Sequence, residues 1–540
     1  MSGLFDKKAV GATHRQTRTQ QELKAKKKNR IVTISVLSAL ILLFVGALLV
    51  NSNFVRRTLP AVTIGGVKFS AAEFDYFYNS AFFEYSEWIN QQFSDMPDFA
   101  ASMLPSRDTH HNKQIYDPDT GATWADYFGG QAINQMSSLV QYYNAAKADG
   151  FVMSAETREL IDSQVQSLLQ EGAYYAMIYP QNFPTAESYL RNLYGGAMNE
   201  SVLRKVLEFV LTAVSYSEKV RDGFVYSDAE LESYYLENRD DLDVFRYRMF
   251  LIYAESVSQE DYETDEAYEE AKEAALNEAR ELAGEIALDI MTEEDFIDAA
   301  SYYGGETYAD VYSTLREHLG ESMDENYSSW LRDEAREYGD VTTIDLSYGT
   351  NVVFFIERDD NDYLLTAMRQ MLFLRDDVDP AEFLDGEADL EYVLAMAEAE
   401  EAARVRAEAV YDLFTSGGST EQKLLELIDE GESDDTTEGG FYEGMARFSY
   451  MYKAQSGYVM RVVPEIENWL FADDRQVGDS GLVYTEAYGY HLLYFMGYGE
   501  QRFRDLIALD RLREVAFNEW GEGLPAVESK HNWAFIFTNR

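Results

Sequence analysis

An internal repeat constrains this chain more than any other feature of its sequence. The segment Asn326–Asp360 matches Glu465–Glu500 at a nearly constant spacing. The matched residues are Trp330 with Trp469, Gly339-Asp340 with Gly478-Asp479, Tyr348-Gly349 with Tyr488-Gly489, and Val353-Phe354-Phe355 with Leu493-Tyr494-Phe495. Because self-similarity at a fixed spacing indicates a repeated structural unit, the sequence predicts two domains of one topology in this half of the chain.

Each copy of the repeat also begins in the same way. An apolar strand, Arg248–Tyr253 or Gln370–Leu374, precedes an acidic loop and an Ala/Glu-rich helix. Helical spacing places one apolar stripe on each helix. The stripes are Tyr268, Ala271, Ala275, Ala279, Leu282 and Ile286 in the first, and Ala399, Ala403, Val410, Leu413 and Phe414 in the second. We therefore expect two α/β domains, at 245–360 and 365–500.

Residues 60–240 have a mainly helical pattern. Two short strands are predicted around Gly65-Gly66, and a capping box formed by Ser70 and Glu73 predicts the start of a helix. A second box, Ser227 with Glu230, predicts another helix start. The aromatic residues between Phe74 and Trp88 exceed what one helical face can bury, which favours a cradle for extended apolar segments. A final helix and an apolar tail are expected in 501–540.

The N-terminal residues have the character of a membrane anchor. Residues 1–30 hold nine Lys or Arg against two acidic residues, and Ile31–Val50 follows with twenty uncharged residues. That length suffices to cross a bilayer, and the positive flank favours a cytoplasmic N-terminus. The sequence thus predicts a single-pass cell-membrane protein, anchored through 31–50, with 51–540 extracytoplasmic. The alternative is a cleaved signal peptide.

Composition excludes several classes of function. The formal net charge of −51 argues against a nucleic-acid partner, and the absence of cysteine excludes disulfides and thiolate chemistry. His110-His111 with Asp108 has no third ligand at helical spacing, so a solvated loop is the simpler interpretation. The run Asp117–Gly121 lacks the later ligands of a calcium loop and is interpreted as a turn. No metal and no cofactor is predicted.

The end of the second copy carries a family resemblance. The run Tyr-Gly-Tyr-His-Leu-Leu-Tyr-Phe at 488–495 resembles the last strand of parvulin-type peptidyl-prolyl isomerase domains. The first copy looks like a degenerate parvulin domain, and the module at 60–240 is similar to the helical chaperone region of PrsA/SurA-type foldases. The likeness there is clearest at Val62–Tyr78 and Leu203–Asn238. The resemblance implies an α+β foldase that binds unfolded or newly exported polypeptides.

The resemblance also implies site residues. The family combines two histidines with a Cys or Asp, and His491 stands at the closing histidine. Gln370 occupies the place of the opening histidine, and Asp435 is the candidate for the Cys/Asp position. Met460, Phe441 and Phe495 are the candidates for substrate binding, while Pro464 stands where a phenylalanine is expected. In the first copy Arg248 and Asn351 occupy the two histidine positions, so no catalysis is expected there.

The incomplete site leaves three functions open. The chain is a chaperone that binds without catalysis, or a working prolyl isomerase through residues 369–500, or a non-catalytic surface scaffold or adhesin. His491 has a structural alternative too, as a strand histidine with both ring nitrogens satisfied. The sequence predicts no oligomeric state.

Overall fold

A computed structural model describes Ser38 and residues 53–94, 96–106, 109–308, 312–378, 383, 390–435, 437–447, 463–485 and 488–538. The chain divides into two compact units. The first comprises the residues up to Phe224 together with Val515–Arg540, and the second comprises Val225–Glu514. The finer domain limits expected from the sequence stay predictions.

The first unit is mainly helical and holds two small antiparallel sheets. Its elements are α1 (Asn53–Thr58), β1 (Pro60–Ile64), β2 (Val67–Ser70), α2 (Ala71–Gln92), α3 (Pro97–Ser102), β3 (Ile115–Asp117), β4 (Ala122–Thr123), α4 (Trp124–Ala148), α5 (Ala155–Ile178), α6 (Ala186–Tyr194), α7 (Glu200–Asp222) and β13 (Ser529–His531). Strand β1 lies between β13 and β2. The fully buried Phe74, Phe128 and Met136 belong to its core.

The predicted caps and turn of this unit are confirmed. Ser70 Oγ accepts a hydrogen bond from the Glu73 amide at 3.3 Å, and the Glu73 carboxylate accepts one from the Ser70 amide at 2.7 Å. Gly65 and Gly66 have φ of +51° and +85°, as a tight turn between β1 and β2 requires. These local contacts fix the start of α2.

The second unit contains both copies of the repeat. It opens with α8 (Asp228–Glu237), whose Ser227–Glu230 capping box is also confirmed, and α9 (Arg239–Leu242). The first copy is β5 (Val244–Tyr253), α10 (Asp265–Asp289), α11 (Glu293–Gly304), β6 (Leu315–Leu319), α12 (Glu325–Leu331), β7 (Val341–Leu346) and β8 (Gly349–Asp359). The second copy is β9 (Leu364–Leu374), α13 (Leu390–Ser416), α14 (Glu421–Asp429), β10 (Phe441–Met445), α15 (Pro464–Leu470), β11 (Ser480–Thr485) and β12 (Gly489–Arg502). Helix α16 (Phe503–Glu522) follows the second copy.

The two copies share one topology. Their four-stranded sheets have the orders β6-β5-β8-β7 and β10-β9-β12-β11, and all neighbouring strands are antiparallel. Each closing strand even carries its register irregularity at the equivalent place, opposite the Arg246/Tyr247 step in the first copy and after Phe495 in the second. The repeat seen in the sequence is therefore a repeat of the fold.

The residues that define the repeat make the same contacts twice. The Arg336 guanidinium lies 4.6 Å from the centre of the Trp330 ring, and that of Arg475 lies 3.9 Å from Trp469. The Gly339 amide donates to the Phe355 carbonyl at 3.0 Å. In the second copy the Gly478 amide donates to the Phe495 carbonyl at 2.9 Å. The shared motif thus specifies the hairpin that closes each sheet.

Only some residues of each predicted apolar stripe are buried. Ala275, Ala279 and Ile286 of α10 are buried, as are Ala403, Val410 and Phe414 of α13. Leu282 and Leu413 instead remain 38% and 53% exposed. Successive helical residues point about 100° apart, so Leu413 cannot share the buried face of Phe414.

The membrane-anchor prediction requires correction. Apart from Ser38, the segment Ile31–Val50 lies outside the described residues, as does the basic segment 1–30. Across the described part of the chain, no helix combines the length and apolar character needed to cross a bilayer. The described chain is α+β, and the predicted fold class loses its membrane-spanning helix. The single-pass membrane location is withdrawn with it.

The repeated turns allow a stability test. Gly339 has φ of +92°, a conformation that costs an L-residue about 1–2 kcal/mol. We expect Gly339→Ala to lower the free energy of unfolding of the second unit by about that amount, measured by urea denaturation. Gly284 lies within α10 in open space, so Gly284→Ala should be neutral or stabilising by up to about 1 kcal/mol. Equal effects of the two substitutions would contradict the assigned turn.

Candidate functional site

The pairing of β9 with β12 brings two of the predicted site residues together. Gln370 lies opposite Leu493, and His491 lies opposite Leu372. The two polar side chains are therefore diagonal neighbours on one face of the sheet. The Gln370 Oε1 atom lies 3.1 Å from the His491 Nδ1 atom, and both residues are buried.

The third predicted residue, Asp435, joins them from a loop. The Gln370 Nε2 group donates to the Asp435 carboxylate at 3.0 Å. The loop is fastened to β9, because the Asp434 amide donates to the Leu372 carbonyl at 2.8 Å. The Leu372 amide in turn donates to Ser433 Oγ at 3.1 Å. His491, Gln370 and Asp435 thus converge in the second copy, whereas their catalytic roles stay predictions.

The hydrogen bonds define the tautomer of His491. A carboxylate accepts and does not donate, so the Gln370 NH₂ group faces Asp435 and its carbonyl faces the ring. The ring therefore carries its proton on Nδ1, which donates to Gln370. The Nε2 atom accepts from the hydroxyl of the fully buried Thr485 at 3.0 Å. In this series of hydrogen bonds, each donor therefore faces an acceptor on the neighbouring residue.

The His491 ring is neutral at ordinary pH. Burial lowers its pKa from 6.5 to about 4, and attraction to the Asp435 carboxylate opposes this only in part. Desolvation penalises the charged form of a group, which explains the direction. The site therefore presents a neutral imidazole, a neutral amide and one carboxylate.

Tyr442 belongs to the same cluster, although the sequence did not single it out. Its hydroxyl donates to the Asp435 carboxylate at 2.6 Å. Its half-buried ring packs against the apolar cluster that contains Met368, Met445 and Phe495. Tyr442 thus connects the polar chain to the apolar core beside it. Its place directly after the predicted Phe441 was the only sequence signal, and Thr485 offered none.

The two glycines before Phe441 bring that segment close to Gln370. A Cβ atom at Gly440 would lie 2.1 Å from the Gln370 carbonyl oxygen, so only glycine fits there. The Arg369 guanidinium lies 4.9 Å from the centre of the Phe441 ring and donates to the Gly439 carbonyl at 2.9 Å. Phe441, predicted to bind substrate, therefore lies beside the cluster with one face covered by Arg369.

The other two predicted substrate-binding residues have different positions. Phe495 is fully buried in the apolar cluster, where it supports the site from within the core. Met460 lies outside the described residues. Pro464 is the first residue of α15, a position where its missing amide hydrogen costs nothing.

The first copy corrects one assignment made from the sequence. Asn351 does occupy the position of His491, and its amide donates to the Tyr327 hydroxyl at 2.7 Å. The residue opposite Val353 is Met249, however, so Met249 and not Arg248 occupies the position of Gln370. The strand register, which a sequence of this kind does not reveal, decides this.

Arg248 instead corresponds to Arg369 of the second copy. Arg248 Nε lies 2.7 Å from the Glu293 carboxylate, and Arg369 Nε lies 2.7 Å from that of Glu421. Each glutamate is the first residue of its helix, α11 or α14. This ion pair is therefore part of the shared scaffold and not of the site.

Among the described residues, no group of three or more His, Asp or Glu side chains is placed to hold a metal ion. The hydroxyl that donates to His491 belongs to the fully buried Thr485, where no substrate can reach it as a nucleophile. Its neutral donors and single carboxylate suit noncovalent stabilisation of a polar group.

Comparisons with known proteins add two structural likenesses. No protein-family model and no curated protein matches the chain. The chain is similar to a peptidylprolyl isomerase (PrsA) from Bacillus anthracis, with 11% identity and a TM-score of 0.22, over 50% of this chain and 97% of that one. It is also similar to PrsA from Bacillus subtilis, with 14% identity and a TM-score of 0.14, over 46% of this chain and 78% of that one. Both of these solved structures are of PrsA.

The buried ring of His491 makes stability depend on pH. Between pH 6.5 and about 4 the unfolded chain binds a proton at this histidine that the folded chain does not. The stability that depends on the neutral ring is thus present above pH 6.5 and lost as the pH falls to about 4. We expect His491→Gln to remove about 3 kcal/mol of this loss, measured by urea denaturation across the window. Above about pH 7 the two proteins should show parallel curves, and parallel curves throughout would contradict the assignment.

Proposed function

We propose that this chain is a PrsA-like foldase that binds unfolded polypeptides and isomerises X-Pro bonds in its second copy. The observation that carries the proposal is the continuous hydrogen-bonded chain from Asp435 through Gln370 to His491. The three residues that the family resemblance selected lie far apart in sequence, and they meet in one cluster. Their meeting supports a retained site in the second copy.

The chemistry of isomerisation suits such a cluster. Rotation about a peptide bond crosses a barrier of about 18–20 kcal/mol and needs no covalent intermediate. An enzyme lowers this barrier by binding the twisted amide more tightly than the planar one. Fixed dipoles in a poorly hydrated place can provide that preference, because they need no reorganisation during rotation. Asp435 and Tyr442 form the half-buried end of this hydrogen-bonded series, and they are its groups nearest to solvent.

Gln370 explains how the site tolerates the loss of one histidine. An amide both donates and accepts, so it connects the carboxylate to the imidazole with the same count of hydrogen bonds as a ring. It does so without changing its charge. We infer that Gln370 preserves the order of the cluster and removes one titrating group from it.

We assign no catalysis to the first copy. Asn351 and Met249 replace His491 and Gln370, and Asn351 is bound to the Tyr327 hydroxyl. A thioether cannot relay a hydrogen bond in the way that the Gln370 amide does.

The first unit offers a surface for unfolded clients. Phe83 and Trp88 are exposed in the second half of α2, Ile115 and Tyr116 are exposed on the hairpin β3–β4, and Tyr116 stacks on Tyr127. Exposed aromatic clusters of this kind mark interaction surfaces. The acidic charge of the chain favours clients with basic residues.

The catalytic proposal is tested by prolyl isomerisation assays on the full chain. We expect His491→Ala to lower kcat/KM by about tenfold or more, equivalent to at least about 1.4 kcal/mol of transition-state stabilisation. Asn351→Ala, at the same position of the first copy, is the matched control and should leave kcat/KM unchanged. Both variants should suppress client aggregation as the parent chain does.

Other outcomes separate the remaining functions. If His491→Ala isomerises as fast as the parent, the catalytic assignment is wrong. If the parent chain itself shows no isomerisation but suppresses aggregation broadly, the chain is a chaperone alone. Binding to one fixed partner, with no suppression of aggregation, would indicate a scaffold.

A further inference from the structure

The first copy contacts one particular helix of the second. The Arg246 guanidinium on β5 lies 3.2 and 3.3 Å from the two carboxylate oxygens of Glu467 on α15. The Glu467 side chain is only 5% exposed. Arg246 also lies 2.7 Å from the Glu317 carboxylate and 3.5 Å from the Glu357 carboxylate of its own copy, so one guanidinium contacts both copies.

A second contact reaches the same helix. The Tyr312 hydroxyl, from the loop before β6, donates to the Glu465 carboxylate at 2.8 Å. Glu465 and Glu467 lie in the first turn of α15. The start of this helix is thus held by two side chains of the first copy.

The repeat shows that these contacts are specific to one direction. By strand register, Ala367 occupies the position of Arg246 in the second copy, and Gly497 that of Glu357. By the match of Trp330 to Trp469, Ser328 and Asn326 of the first copy occupy the positions of Glu467 and Glu465. The charged partners therefore occur only where the first copy faces the helix of the second. A contact that merely followed from the shared fold would be expected at both places.

Helix α15 leads to the candidate site. Its Ile466 and Leu470 are buried in the apolar cluster with Met368 and Met445, and the Tyr442 ring packs on that cluster. The Tyr442 hydroxyl holds Asp435, as described above. A contiguous path of packed side chains thus runs from Arg246 to the hydrogen-bonded residues Asp435, Gln370 and His491.

We propose that the degenerate first copy is a brace for the second, and that Arg246 is a positioning residue that fixes α15 and through it Tyr442 and Asp435. The expected effect of Arg246 on catalysis rests on the proposed function, whereas its effect on α15 does not depend on any activity. Removing one partner of a buried ion pair leaves an uncompensated charge. Loss of Arg246 should therefore loosen the start of α15 and not only the first copy.

The test uses hydrogen exchange of the full chain with the variant Arg246→Met. We expect at least tenfold faster amide exchange in Pro464–Leu470 and faster exchange in Phe441–Met445. We also expect a lower kcat/KM for prolyl isomerisation. The matched control is Arg248→Met, which breaks the Arg248–Glu293 pair inside the first copy. Its exchange in Pro464–Leu470 should match that of the parent chain.

Two milder variants keep the proposal testable if Arg246→Met does not fold. Tyr312→Phe removes one hydroxyl, and Glu467→Gln removes the charge that Arg246 neutralises. Each should speed exchange in Pro464–Leu470. If Arg246→Met folds, adding Glu467→Gln to it should slow exchange in Pro464–Leu470 part of the way back toward the parent rate, because Glu467→Gln removes the buried charge that Arg246→Met leaves uncompensated.

The outcomes distinguish the brace from the proposed catalysis. Unchanged exchange in Pro464–Leu470 in all three variants, or an equal rise in Arg248→Met, would overturn the brace. If exchange rises as expected but the parent chain isomerises no X-Pro bond, the brace stands and the catalytic proposal fails.

Discussion

The antiparallel pairing of β9 with β12 is the constraint on which the second copy depends. Side chains alternate across a strand, so one face of this pair carries Gln370 and His491 while the other carries Met371 and Leu492. The apolar face packs on α13, including Phe414. A slip of one residue would turn the polar pair into that core. The cost of burying unmatched polar groups therefore fixes the register and, with it, the meeting of Gln370 with His491.

Local features of the sequence predicted much of this molecule. The capping boxes, the Gly65-Gly66 turn and the repeated Gly-Asp turn are formed by residues close in sequence, so their signals are direct. The repeat also predicted one topology for both sheets. Within the candidate site, the resemblance selected the three residues that the structure brings together, although it could not show that they are joined by hydrogen bonds.

What the sequence missed depends on distant contacts. The placement of Met249 opposite Val353 follows from a pairing between strands about a hundred residues apart, and the sequence gives no register for it. Tyr442 and Thr485 acquire their roles only when a loop and a hairpin meet. Phe495 looked available for substrate, and it does lie on the same face of β12 as His491, but the apolar cluster with Met368 and Met445 covers it. Burial is decided by the partner elements, which the sequence of one strand does not contain.

The buried Glu467 carboxylate has a practical consequence for dissection of the chain. A fragment that begins at residue 361 would retain the hairpin with its Trp469–Arg475 stack, because both residues lie within it. The same fragment would carry a carboxylate whose cation has been cut away, in a place with little access to water. Such a fragment reports the intrinsic strength of the sheet but not the geometry of the intact molecule. Experiments that excise one of two tandem domains of this type therefore underestimate the stability of the second copy unless its neighbour is kept.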